Sequence, residues 1–173
     1  MNRPMNAPDV ELPVDFRPAG PADQPFLRRL PRLRTGAGDP DAVVRVALLE
    51  DRPVAVVRAA RPETDGQPPR PGHTDPGLRS IELAIVDPWM DGRSTGARVL
   101  WAFATRLFED PDVRRLQLDA DVGAEDLVGA CADVGFRSFG LFQGPLGTTH
   151  LFSARRRELR SVAPASLSRV MVL

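Results

Sequence analysis

The stretch from Ile81 to Asp121 constrains this chain more than any other. Ile81 to Val86 has the apolar character of a strand, and Thr95 to Glu109 has the periodicity of a helix. In that helix Ala97, Leu100, Trp101, Ala104, Leu107 and Phe108 fall on one apolar stripe. Arg115 to Asp121 alternates, with Leu116, Leu118 and Ala120 on one face, and is expected to be a second strand. A strand, crossover helix and strand in one sheet join with right-handed sense, so the two strands are expected to run parallel.

Other elements group around this unit. Val14 to Arg17 suits a short first strand, and Pro21 to Leu30 a helix with Pro21 in its first turn and Phe26, Leu27 and Leu30 on one face. Val43 to Leu49 and Val54 to Ala59 flank Glu50-Asp51-Arg52-Pro53 and form a hairpin pattern. Arg61 to Gly77 lacks periodicity and is expected to be a loop. Glu125 to Val134 predicts a helix stopped by Gly135, and Phe136 to Phe142 and Thr149 to Ala154 a closing strand pair. The resulting order predicts an α/β (α+β) fold, a mixed sheet with helices on both faces. The body spans 14–156, between a loose N-terminus at 1–13 and a tail at 157–173 that is either helical or frayed.

Composition limits the function. At 173 residues the chain fits one domain, and 42% apolar with 27% charged residues is ordinary globular usage. No run approaches the roughly 18 apolar residues of a membrane span, and the first residues lack a signal peptide's apolar core. One cysteine, Cys131, excludes an internal disulfide and agrees with a cytoplasmic location. Zero net charge gives no pull toward nucleic acid or membrane. Every basic side chain is arginine, and there is no tyrosine.

The chemistry lies between the strand and the long helix. Asp87 to Ala97 reads Asp-Pro-Trp-Met-Asp-Gly-Arg-Ser-Thr-Gly-Ala and runs straight into the helix. Such a loop offers backbone N–H groups and the positive end of the helix dipole, an anion site suited to a diphosphate. Arg93 adds a charge for direct contact. The same residue types also serve as plain turn and cap residues, so this motif alone leaves both readings open.

The run Ile81 to Pro88, followed by Gly92-Arg93-Ser94-Thr95-Gly96-Ala97 and the helix, resembles the acetyl-CoA motif of GNAT acyltransferases, usually R/Q-x-x-G-x-G/A. Downstream, Phe108 to Arg115, a strand to Asp121, a helix and Val134-Gly135-Phe136 continue the likeness. The pattern is similar to aminoglycoside 6′-N-acetyltransferases and to siderophore acyltransferases acting on lysine or N-hydroxylysine. It covers 14–156 in element order and is specific over 78–136.

The resemblance implies a mostly antiparallel sheet with a splayed parallel strand pair. It implies acetyl-CoA or another acyl-CoA as donor, with Ile85 and Val86 offering backbone groups to pantetheine and an oxyanion donor to the thioester. The amides of Gly92, Arg93, Ser94, Thr95, Gly96 and Ala97 would hold the diphosphate, and the acceptor amine would attack directly, with no metal. Departures stand beside it: Asp91 where the family has Arg or Gln, Ser94 where it has Gly, and Ala124 where it has Asn.

Three side chains are candidate catalytic residues. Glu82 sits in an apolar strand, at the position where the siderophore enzymes carry a histidine base. It either accepts the amine's proton or pairs with Arg79 or another arginine. Asp121 ends the next strand and either binds the acceptor's ammonium, orients Glu82, or serves the turn before the next helix; Asp119 shares its face. Cys131 falls where many GNAT enzymes have a tyrosine acid, but it also lies on its helix's apolar stripe.

Of the remaining candidates, Trp89 is expected to pack in the core or beside pantetheine. His73 and His150 have no metal-ligand neighbours, and Arg155 to Arg157 form a solvated cluster.

The expected activity is transfer of acetyl or a larger acyl group from CoA to an amine or hydroxylamine of a small metabolite, by a chain able to form a homodimer. The alternatives are a GNAT-fold binding or regulatory subunit without catalysis and a protein N-acetyltransferase.

Overall fold

The computed structural model describes residues 13–30, 41–62, 74–87, 90–144 and 147–160. Seven strands form one sheet: β1 (Asp15–Pro18), β2 (Val43–Leu49), β3 (Arg52–Ala60), β4 (Leu78–Ile85), β5 (Arg115–Asp121), β6 (Arg137–Gly144) and β7 (Gly147–Ala154). Their spatial order is β1-β2-β3-β4-β5-β7-β6. All neighbours are antiparallel except β4 and β5, which are parallel as the crossover rule requires. Among the described residues three α-helices lie beside the sheet: α1 (Gln24–Leu27), α2 (Gly92–Leu107) and α3 (Glu125–Val134).

The sheet separates two apolar layers. One face carries Ile81, Leu116, Leu118, Ala120 and Phe152, with Ala97, Leu100, Phe103 and Ala104 of α2 and Ala130, Cys131 and Val134 of α3 packed over it. The other face carries Val46, Val56, Ala84 and Val86, covered by Phe26, Leu27 and Leu30 from α1 and the turn after it. Alternation along β4 therefore sends Ile81, Leu83 and Ile85 toward α2 and α3, and Glu82, Ala84 and Val86 toward α1.

Local chemistry explains where boundaries moved. The expected helix over Pro21–Leu30 is a 3-10 turn, Pro21–Asp23, then the single turn α1. Asp23 is buried beneath this turn; it accepts two hydrogen bonds of 2.7 Å from Arg17 and one from the Gly20 amide. Helix α2 begins at Gly92, three residues before the expected Thr95, because Asp91 caps it: its Oδ1 accepts from the Arg93 amide at 3.3 Å. The first hairpin turns on Glu50 and Asp51 alone, both with positive φ (50° and 62°), so Arg52 and Pro53 belong to β3.

Gly135 closes α3 at φ 97°, where a side chain would strike the carbonyl of Glu158. The chain after β7 turns back here: Arg160 N–H donates to Val134 O at 2.8 Å and Leu159 packs on the core. The first residues assigned to the tail thus lie against α3. Residues 1–12 and 161–173, His73 and Trp89 lie outside the described residues.

Candidate active site

The parallel strands part company early. β4 and β5 pair from Leu78↔Arg115 to Ile81↔Leu118, whereas β4 stays paired with β3 as far as Ile85↔Ala55. Beyond Ile81 a gap opens between β4 and β5. It leads into a cleft of about 590 Å³ bounded by Leu83 and Ile85 of β4, Gly92 and Gly96 of α2, and Gly123 to Leu127 at the start of α3.

Which amides face this gap follows from the antiparallel ladder. Val86 N–H donates to Val54 O at 2.9 Å, so even-numbered residues of β4 turn their backbone groups toward β3. Ile85 then turns its N–H and C=O the other way, into the gap. Arg29, from the turn after α1, reaches the same place and donates to Ile85 O at 3.0 Å. Of the two backbone sites expected from sequence, Ile85 has the required direction. Val86 does not: its amide is engaged with β3 and its side chain is buried on the α1 face.

The glycine-containing turn is narrower as an anion site than its sequence suggests. Since α2 starts at Gly92, Thr95 N–H bonds Asp91 O at 2.9 Å, and later amides lie within the helical ladder. The amides of Gly96 and Ala97 are therefore spent within the helix, while the Arg93 amide serves Asp91. That leaves Gly92 and Ser94 as the first-turn amides not assigned to a cap or the ladder. Thr95 and Ala97 are buried, and Gly96 lines the cleft through its missing side chain, which lets Ala130 of α3 approach.

The Arg93 side chain points away from the cleft. It makes a two-pronged ion pair with Asp133 of α3, 2.8 Å at both oxygens, which holds the Asp133 carboxyl below its usual range.

On the opposite face, Glu82 lies directly across β3 from Arg58. Arg58 Nη1 is 3.6 Å from Glu82 Oε2, with side chains 1% and 11% exposed. Arg58 was not singled out from sequence, although a lone charge in the run Val54 to Ala60 was a signal available there. Arg79, named as a partner for Glu82, instead donates to the carbonyls of Pro76 and Leu78.

Asp119, one pairing step past the end of the β4–β5 ladder, shares this face. Asp121 is exposed at the end of β5, and its carbonyl accepts from Ala124 N–H in the turn before α3. Asp119 is thus nearer the neck of the gap than Asp121. Buried Ser80, Gln117 and Ser153 extend the polar belt along the sheet.

Cys131 is not placed for catalysis. Its side chain is fully buried in the core between α3 and the sheet, and desolvation pushes its thiol up to about 12. Its burial keeps it out of the cleft lining, away from the place where the acid is expected. His150 lies against Phe152 with the rings tilted by 38° and sits 2.5 Å from Ser138 Oγ, on β7 and β6. Among the described residues no cluster of three or more His, Cys, Asp or Glu could hold a metal ion, and no helix is long and apolar enough to cross a membrane.

Residues 21–143 match the family model described as the acetyltransferase (GNAT) domain. The chain belongs to the GNAT acetyltransferase family. A kanamycin resistance protein of Rhizobium radiobacter is 28% identical over 74 residues, 43% of this chain and 68% of the relative. The GNAT fold here also superposes on AAC(6')-Ib solved with ribostamycin and coenzyme A, with TM-score 0.71 and 20% identity over 87% of this chain and 99% of that one. The complex of AAC(6')-Ib with coenzyme A and kanamycin gives TM-score 0.71 at 18% identity, over 84% of this chain and 96% of that chain. Those two structures bear on the shared fold; the GNAT domain match carries the family.

Proposed function

We propose that this GNAT protein transfers an acetyl or larger acyl group from CoA to an amine of a small metabolite, with the donor entering between β4 and β5. The observation that carries this reading is the gap beyond Ile81↔Leu118, with the Ile85 amide turned into it and Glu82 on the opposite face of β4. Bound acyl-CoA would supply an activated thioester. Ile85 N–H then has the direction of an oxyanion donor, worth on the order of a hundredfold or more in rate for groups of this kind. Leu83, Ile85 and Leu127 give the arm of the donor an apolar wall.

The acceptor belongs on the α1 face, where Glu82 and Asp119 supply negative charge for an ammonium. Glu82 takes one proton from the bound ammonium, directly or through water; the freed amine then bonds to the acyl carbon, the carbon–sulfur bond breaks, and the second nitrogen proton passes to water. The sulfur leaves with its electron pair as a thiolate, because Cys131 is sealed in the core and the sequence has no tyrosine. Relatives named for kanamycin resistance and for aminoglycoside acetylation favour an aminoglycoside-like polyamine as acceptor.

The test is thiol release from acetyl-CoA in the presence of kanamycin, ribostamycin and simple primary amines, with acetylated product read by mass. Amine-dependent release that disappears in Glu82→Gln supports the assignment. Donor binding without transfer to any amine supports a second reading, a GNAT domain that binds but does not catalyse. The observation favouring that reading is the carboxylate-rich start of α2, where Asp91 caps the helix and Asp126 abuts Gly92.

A further inference from the structure

Helix α3 presents Asp126, Gly129 and Asp133 on one face, at the three- and four-residue steps that align side chains along a helix. That face packs on the first turn of α2. The Asp126 carboxylate lies against Gly92, so closely that a β-carbon there would collide with Oδ2 and stand 3.1 Å from Cγ. Seven positions on, Asp133 holds the guanidinium of Arg93, the cation of that first turn. Gly129 makes room for the reach: a β-carbon there would come within 2.8 Å of Arg93 Nε.

Both contacts act on the same quantity, the charge at the start of α2. One places a carboxylate against Gly92, and the other holds a guanidinium on α3. The cleft's charged lining among the described residues is Arg29 against Asp87, Glu125 and Asp126. Asp87 is itself paired with Arg52 at 2.9 Å. A diphosphate brought to this turn meets like charge where a helix N-terminus would otherwise attract it.

We propose that Asp126 and Asp133 are donor-specificity residues, which weaken the hold of the cleft on diphosphate-bearing carriers while leaving the pantetheine portion untouched. This rests on the reading of the cleft as the acyl-CoA site. Asp126 acts directly, by repulsion. Asp133 acts through Arg93, so its effect exists only while that arginine is present.

The experiment is calorimetric titration of the full chain at low ionic strength, with CoA and with pantetheine, which lacks the diphosphate. Asp126→Asn is expected to tighten CoA about three- to tenfold, the size of one exposed like-charge contact, and to leave pantetheine unchanged. Asp133→Asn is expected to tighten CoA as well, and Asp133→Asn with Arg93→Gln to lose that gain. The Arg93–Asp133 pair is exposed, so its removal costs the fold little.

Unchanged CoA affinity in both single variants overturns the inference, as does an equal gain for pantetheine. In those cases both probes still bind and the donor reading stands. If neither probe binds wild type or any variant, the donor reading fails and this inference falls with it.

Discussion

Arg58 on β3 and Glu82 on β4 face each other across one antiparallel pairing and form an ion pair inside the sheet, 3.6 Å apart and almost closed to solvent. Two charges in such a place hold each other up. Removing one takes a counter-charge from a largely buried partner, which costs more than the net worth of the pair. Arg58→Met is therefore expected to lower stability by about 3–5 kcal/mol, read by urea unfolding. The double variant Arg58→Met with Glu82→Leu should recover most of that loss. A double variant as unstable as the single one would mean that the two side chains are not energetically coupled.

The same pair separates the structural and chemical roles of Glu82. Glu82→Gln keeps the shape and hydrogen-bonding capacity of the side chain but cannot accept a proton as a carboxylate does. Because Glu82→Gln also takes the counter-charge from Arg58, turnover is read where urea unfolding shows the variant to be native; there it is expected to fall about 10²–10⁴-fold on a confirmed amine acceptor. Donor affinity should not move, because Glu82 points to the α1 face and the cleft wall is made by Leu83 and Ile85. Unchanged kcat would remove Glu82 as the base.

Cys131 offers a check on the core. Burial pushes its thiol up to about 12, so a thiolate-seeking reagent such as a disulfide dye should react slowly with the folded protein at mild pH and rapidly in denaturant. Cys131→Ala is expected to keep its rate of acyl transfer while losing stability of about 1 kcal/mol, that of a small buried group. A large loss of kcat with intact folding would restore the acid role that its position in the family pattern suggested.

The contact between Asp23 and Arg17 predicts a pH dependence. The guanidinium hydrogen bonds lower the Asp23 carboxyl to about 2 in the folded chain, against an unfolded value of about 3.9. A depressed folded pKa makes stability rise with pH: the contribution is complete above the unfolded value and fades as pH falls toward the folded one. The stability gap between wild type and Asp23→Asn should thus be flat above about pH 5 and shrink steadily toward pH 2. A gap that widens on acidification would contradict the assignment.

Much of the fold was legible because it is written in local periodicity. The strand, helix and strand from Ile81 to Asp121 each carry a stripe or alternation that decides their type, and the crossover rule then makes β4 and β5 parallel. Contacts set by distant partners were not legible. The pairing of Glu82 with Arg58, rather than nearby Arg79, depends on the register of β3 against β4. The direction of Arg93 depends on how α3 packs on α2, with Gly129 making the space. Even the start of α2 turned on one side chain, Asp91, whose capping bond draws the helix back to Gly92 and reduces the number of amides left for an anion. The candidate donor turn is readable from its sequence pattern; its charge required the packing.

The proposed place of the donor is the gap between β4 and β5. A crystal structure of the full chain grown with millimolar CoA tests this most directly. The expected result is a pantetheine arm between Leu83–Ile85 and the start of α3, within hydrogen-bond distance of the Ile85 amide. CoA bound elsewhere on the chain, or a cleft without density although titration shows saturable CoA binding, would contradict it.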